Sequence, residues 1–269
     1  MILRVWVNKK KETLLMPTQF QVIIKKNPKE LSNTGATLFA ECAGHAIERK
    51  GLFTVALSGG STPRGMHLRL AEDPFRSNIS WDQTHIFWVD ERCVPVEDTA
   101  SNYGAACKDF IDQVPINKTN LHPMPVHMAP DEGATRYQRE ITGFFKTASN
   151  EIPVFDLILL GIGTDGHTAS LFPGTSALQE QKHLISAVKG GMPNVNRLTM
   201  TYPILNQARE VVFLASGKGK AGIVQAILEK KQRDLPALGI RPRSGKLTWL
   251  LDREAASLLP KDSLPGFIE

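Results

Sequence analysis

Two residues have types and spacing suited to moving a proton: Asp165 and His167, separated by Gly166. A histidine titrates near neutral pH, and a carboxylate two residues away is placed to fix its tautomer or charge state. Together they read as a general base with its orienting group. The residues before them deliver them to the right place. Leu157 to Leu160 is an unbroken apolar run, as in a parallel strand whose sheet is covered on both faces. Gly161, Gly163 and Gly166 then free the backbone directly past the strand end, where ligands sit in open α/β sheets. A lone histidine after a strand is more often structural than catalytic, but small Thr168 and Ala169 leave this one uncrowded.

The same glycines spell Gly-x-Gly-x-x-Gly, the dinucleotide fingerprint. The acid expected near twenty residues on is missing, because that region reads Ile185-Ser186-Ala187-Val188, and several βα units precede the motif. A nucleotide is therefore not expected. An earlier glycine turn suits a different ligand. Phe53 to Leu57 reads as a strand and opens into Ser58-Gly59-Gly60-Ser61-Thr62-Pro63. Converging backbone N–H groups, the Ser and Thr hydroxyls and a proline at a helix start make an anion cradle there. No Gly-Lys-Ser/Thr closes it, so it is not a Walker A loop, and phosphate is the expected anion.

Thr84 to Val89 is a further strand, ending in Asp90-Glu91-Arg92. Charges at the end of a buried strand are costly unless paired or functional. Side-chain alternation sends Asp90 and Arg92 toward the crevice together and leaves Glu91 to a salt-bridged strand terminus. Arg197 begins a strand running to Thr201 and is either a phosphate ligand or a solvated edge charge. Val211 to Ala215 leads into Ser216-Gly217-Lys218-Gly219-Lys220-Ala221. A lysine at a helix start opposes the macrodipole, which hints at a compensating anion, and Lys218 and Lys220 are both candidates. His122 and His127 have no flanking acid or cysteine, so they read as surface histidines and not as metal ligands.

These sites need a scaffold, and the chain of 269 residues can bury a sizeable core. Apolar residues make up 42% and charged residues 22%, ordinary for a soluble globular protein. A net charge of +5 suits an anionic substrate but is too small and dispersed for nucleic acid, and Lys9-Lys10-Lys11 reads as a solvated tip. Cys42, Cys93 and Cys107 contain no Cys-x-x-Cys pair, which suggests neither a disulfide framework nor a zinc cluster and fits a reducing compartment. Met1 to Val7 lacks a cleavage-site pattern, and no apolar run approaches membrane-spanning length. The expectation is a cytoplasmic protein, monomer or small homo-oligomer, acting on a small molecule with no cofactor, metal, nucleic acid or membrane partner.

Short β-leaning pieces at Leu3 to Val7 and Phe20 to Ile24 suggest a hairpin or an edge extension. Helices are expected over Thr34 to Lys50, with His45 on the packed face, and over Arg64 to Ala71, Tyr103 to Ile111 and Asp131 to Ala148. Leu184 to Val188 reads as a strand, a helix follows Lys220 to about Glu229, and Leu247 to Leu251 precedes a short helix to Leu259. The βα alternation predicts one α/β domain over 1–269, a doubly wound, mainly parallel sheet with helices on both faces.

Taken in order, Ser58-Gly59-Gly60-Ser61-Thr62-Pro63, Val89-Asp90-Glu91-Arg92, Gly161 through Pro173, Arg197-Leu198-Thr199 and Gly217-Lys218-Gly219-Lys220-Ala221 resemble the glucosamine-6-phosphate isomerase/6-phosphogluconolactonase family. The resemblance spans about Phe53 to Ala256. It implies a Rossmann-type fold and, on the lactonase branch, hydrolysis of 6-phosphoglucono-δ-lactone in the oxidative pentose phosphate pathway without metal or nucleotide. By position it implies His167 as general base and Asp165 as its tuner. Ser58, Gly59, Gly60, Ser61 and Thr62, with Lys220 and Arg197, would hold the 6-phosphate. Asp90 and Arg92 would lie near the substrate, and amides of the second glycine turn, Gly163 included, would be oxyanion donors. Deaminases of the wider group usually carry an acid where this chain has Phe172. A deaminase-like isomerase is thus the runner-up, and a non-catalytic sugar-phosphate sensor is the alternative of another class.

Overall fold

The computed structural model describes residues 19–148 and 151–260, with the backbone of 267–268. The expected strand Leu3 to Val7 and the lysine run after it lie outside the described residues. The chain runs β1 (Gln19–Lys25), α1 (Pro28–Lys50), β2 (Phe53–Leu57), α2 (Ser61–Leu70), the single turn α3 (Phe75–Asn78), β3 (Thr84–Trp88), β4 (Asp90–Arg92) and α4 (Asn102–Asp109). Next come β5 (Leu121–His122), α5 (Pro130–Phe145), β6 (Leu157–Leu160), β7 (Ile185–Gly190), β8 (Val195–Met200) and α6 (Tyr202–Leu205). β9 (Glu210–Ala215), α7 (Ala221–Leu228), β10 (Lys246–Asp252) and β11 (Phe267–Ile268) complete the order. No helix among the described residues is long and apolar enough to cross a membrane.

The main sheet has the order β11-β1-β10-β9-β6-β2-β3-β5, and its neighbouring strands pair in parallel. From β2 the chain winds outward through β3 to β5, while β6, β9 and β10 wind the opposite way. The direction therefore reverses between β2 and β6, whose paired residues include Val55 with Leu157 and Ala56 with Ile158. Such a switch point opens a crevice beyond the carboxyl ends of the two strands, and both glycine turns leave from there. β2 and β6 are buried at every position, as strands covered on both faces must be. Buried Asp156 fixes the start of β6 to β2. It accepts bonds from the Thr54 backbone N–H at 2.9 Å and hydroxyl at 2.7 Å, and pairs with Arg49 and Lys50 at the end of α1 at 2.6 and 2.7 Å.

Several expectations from the sequence are corrected. β1 is not at the edge of the main sheet, and the hairpin expected with Leu3 to Val7 falls outside the described residues. β1 lies inside the sheet between β11 and β10, in register from Gln19 with Lys246 to Lys25 with Asp252. β7 and β8 are strands as expected but form a separate antiparallel sheet with β4, in the order β4-β8-β7. Unlike the central strands, β7 is only partly buried, and α5 packs on this small sheet. α1 starts earlier than expected because Asn27 caps it, accepting from the Glu30 N–H at 2.9 Å, with Pro28 in the first turn. Its buried face is made by Leu31, Ala36, Phe39, Ala43 and Ala46, and His45 is exposed. The expected helix before Leu259 is a run of turns.

Candidate active site

Beyond β6 the chain closes a tight turn on itself. The Gly163 N–H donates to the His167 carbonyl at 2.8 Å, the Gly166 N–H donates to the Gly163 carbonyl at 3.0 Å, and Gly166 is left-handed at φ 81°. These amides are therefore spent inside the turn, which counts against their serving as oxyanion donors. Gly163 has a steric role instead. A Cβ there would stand 2.1 Å from His167 Nδ1, so only glycine lets the ring lie over this backbone. The Phe172 ring, 4.7 Å away between centroids, packs against the imidazole.

His167 Nδ1 is 2.5 Å from Asp165 Oδ1, and the same oxygen accepts the His167 backbone N–H at 3.1 Å. Burial alone would raise the Asp165 carboxyl, but the bonds from the His167 backbone and ring outweigh it and hold the group below its ordinary value. A charged carboxylate is an acceptor only, so Nδ1 carries the hydrogen and Nε2 is left as the basic nitrogen.

Beyond β2, Ser58 is buried and its Oγ has no partner among the described residues. Gly60, at φ 109°, turns the chain into α2, which starts at Ser61, earlier than the expected Arg64. No side chain caps this helix. The first-turn N–H groups of Ser61 and Thr62 have no intrahelical partners, both residues line a cavity, and Pro63 lacks the donor in any case.

Three cations approach from other elements. Arg92 on β4 stands directly opposite Arg197 on β8. Arg197 is buried, so it is not a solvated edge charge, and it donates to the Gly190 carbonyl at 2.8 Å and the Pro193 carbonyl at 3.2 Å. Its guanidinium lies over the Phe172 ring. Burial first, and the neighbouring Arg92 second, pull the Arg197 pKa down. Neither arginine forms an ion pair with a carboxylate among the described residues. Lys220 Nζ donates to the Ile162 carbonyl at 2.8 Å, beside the histidine turn, while Lys218 is exposed. The Gly217 turn that presents Lys220 is tied down by buried Asp252, which accepts its N–H at 3.0 Å.

Asp90 is buried and accepts the Ser170 hydroxyl at 2.6 Å, joining β4 to the segment after His167. Glu91 is buried and forms no salt bridge among the described residues, contrary to expectation. It accepts the backbone N–H groups of Arg92, Asn102 and Tyr103 at 2.7, 2.8 and 2.7 Å and the Ser101 hydroxyl at 3.1 Å. Burial nevertheless pushes its carboxyl up, against the lowering effect of the three amides.

One cavity of about 200 Å³ gathers Ser58, Gly59, Gly60, Ser61, Thr62, Asp90, Arg92, Gly163, His167, Arg197 and Lys220. Asp165 stands behind the imidazole and does not line it. Asn102, the first residue of α4, also lines the cavity, and sequence reasoning missed it because an asparagine beside Ser101 reads as helix-capping chemistry. His122 lies elsewhere. It is buried against Phe87, with its ring nitrogens 3.2 Å from His85 and 3.0 Å from Glu140, so it is not the surface histidine expected. His127 is exposed, and no cluster of three or more metal-ligating side chains occurs among the described residues.

A parallel sheet with a switch point, a histidine–carboxylate pair and an uncapped helix start with surrounding cations define an α/β enzyme acting on a small phosphorylated substrate. Comparison with known proteins places it more closely. The family model described as glucosamine-6-phosphate isomerases/6-phosphogluconolactonase matches residues 26–249, and the chain belongs to that family. A 6-phosphogluconolactonase of Synechocystis sp. is 44% identical over 218 residues, covering 80% of this chain and 88% of the relative. The 6-phosphogluconolactonase of Rattus norvegicus is 35% identical over 247 residues, covering 90% and 95%. The structure of the 6-phosphogluconolactonase from Trypanosoma cruzi superposes with a TM-score of 0.81 at 30% identity, covering 91% of this chain and 98% of the other.

Proposed function

We propose that this chain hydrolyses 6-phosphoglucono-δ-lactone to 6-phosphogluconate in the pentose phosphate pathway, with His167 as the general base. Water attacks the lactone carbonyl carbon as Nε2 takes its proton, and the Asp165 carboxylate stabilises the imidazolium that forms. The tetrahedral adduct then expels the ring oxygen, which recovers that proton from Nε2, leaving the open-chain acid and a neutral imidazole. The 6-phosphate rests on the first-turn amides of α2 with Lys220 beside it, and Arg92 and Arg197 add positive potential along the cavity wall. Ser58 and Gly59 shape the cradle, and Asp90 holds the wall through Ser170.

The observation that carries this reading is the meeting of His167, held from behind by Asp165, and the α2 start in one cavity. Three free cysteines suit the cytoplasmic setting that belongs to the same reading, with a free sugar phosphate as the partner and the chain acting as one catalytic unit. The test is hydrolysis measured above the spontaneous background. The parent should show excess rate, and His167→Ala should lose about 10²- to 10⁴-fold in kcat. Ammonia release from glucosamine 6-phosphate would instead mark a deaminase. Binding of 6-phosphogluconate without any excess rate in the parent would mark a sensor.

A further inference from the structure

We infer that Asn102 is a positioning residue that sets Arg92 against the substrate, and that position 59 is glycine in order to admit it. This rests on the lactonase reading above. Arg92 faces another cation, Arg197, across the small sheet. No carboxylate pairs with it among the described residues. Its Nη1 donates to the Ala100 carbonyl at 2.6 Å and to Asn102 Oδ1 at 2.9 Å, and its buried Nε has no partner. Among the described residues, two neutral oxygens are thus what anchors this guanidinium against its neighbour's repulsion.

Asn102 is itself fixed from two directions. Glu91 takes its backbone N–H and that of Tyr103, together with the Ser101 hydroxyl, so the start of α4 is bound to β4. The side-chain amide has one workable orientation. Nδ2 faces the Asp90 carbonyl at 2.8 Å and an Asp90 carboxylate oxygen at 3.4 Å, which leaves Oδ1 for Arg92, and a flipped amide would set donor against donor. The same Oδ1 also crowds the anion cradle, where a Cβ at Gly59 would lie 1.8 Å from it. Asn102 is therefore a wedge between the α2 cradle and the Arg92 strand, and it sets the spacing of the two surfaces that meet the substrate.

The test is a set of variants assayed for lactone hydrolysis. Asn102→Ala should raise KM by about tenfold, the scale of one hydrogen bond to a charged group, with kcat changed less than about twofold. Gly59→Ala should raise KM similarly, because its methyl displaces the amide. The double variant should be no worse than Asn102→Ala alone, since the space is then vacant, and Arg92→Ala in the Asn102→Ala background should add little. A merely structural residue would instead lower the melting temperature and give effects that multiply. An unchanged KM in Asn102→Ala, or a double variant equal to the product of the singles, overturns the inference. If the parent itself shows no excess hydrolysis, the lactonase reading fails separately. The same variants, titrated with 6-phosphogluconate by calorimetry, must then show this non-additivity in Kd, or the inference fails as well.

Discussion

The turns after β2 and β6 are neighbours made of similar materials: a buried parallel strand, closely spaced glycines and small hydroxyl residues. They use their backbone donors in opposite ways. After β2 the chain enters α2 without a side-chain cap, so first-turn amides remain for an outside anion. After β6 the amides of Gly163 and Gly166 bond back into the turn, which becomes a rigid seat for one imidazole. A glycine-rich turn after a strand is thus no single device. Whether its N–H groups are free or spent decides whether it binds charge or aims a side chain.

Removing the seat should have the largest effect. Gly163→Ala forces the His167 ring off Asp165 and should cut kcat by about 10²-fold, the scale of a general base, while KM changes little, in steady-state lactone hydrolysis. If KM rises instead with kcat preserved, the turn after β6 binds charge after all. Weakening the cradle side should be milder. Lys220→Ala should raise KM by about tenfold with kcat nearly intact, and a fall in kcat alone would show that the phosphate role is misassigned.

The smallest effect concerns stability. The folded-state pKa of Asp165 is depressed, so its contribution is present above the ordinary carboxylate range and is lost as pH falls through the depressed value. The side chain is half exposed, which keeps the contribution small. Asp165→Asn should melt about 1 to 2 °C below the parent at neutral pH, and the two curves should converge in acid. A gap that persists at low pH would mean that the pair is held by something other than charge.

Much of this arrangement was legible in the sequence, for identifiable reasons. Phe53–Leu57 and Leu157–Leu160 are buried along their whole length, so their apolar runs mark the two central strands and locate the turns that follow. What stayed hidden depends on distant partners. Phe20 to Ile24 looks the same whether it forms an edge or an interior strand, and only β10 and β11, both more than two hundred residues later, decide it by pairing on its two sides. The three residues of β4 read as a charged strand end, because their antiparallel mates on β8 give no local sign of pairing. Asn102 carries an ordinary helix-start residue type, and its role follows from the approach of Gly59, far away in sequence. His45 reads as packed although it is exposed, because α1 packs through small alanines and a histidine at matching spacing imitates that face.

The most direct test is a crystal structure of the complex with 6-phosphogluconate. The product carboxylate should lie within about 3.5 Å of His167 Nε2, directly or through one water, with the phosphate on the amides of Ser61 and Thr62 beside Lys220. A phosphate seated at His167, or a carboxylate turned away from the imidazole toward α2, would contradict the division of labour between the two turns.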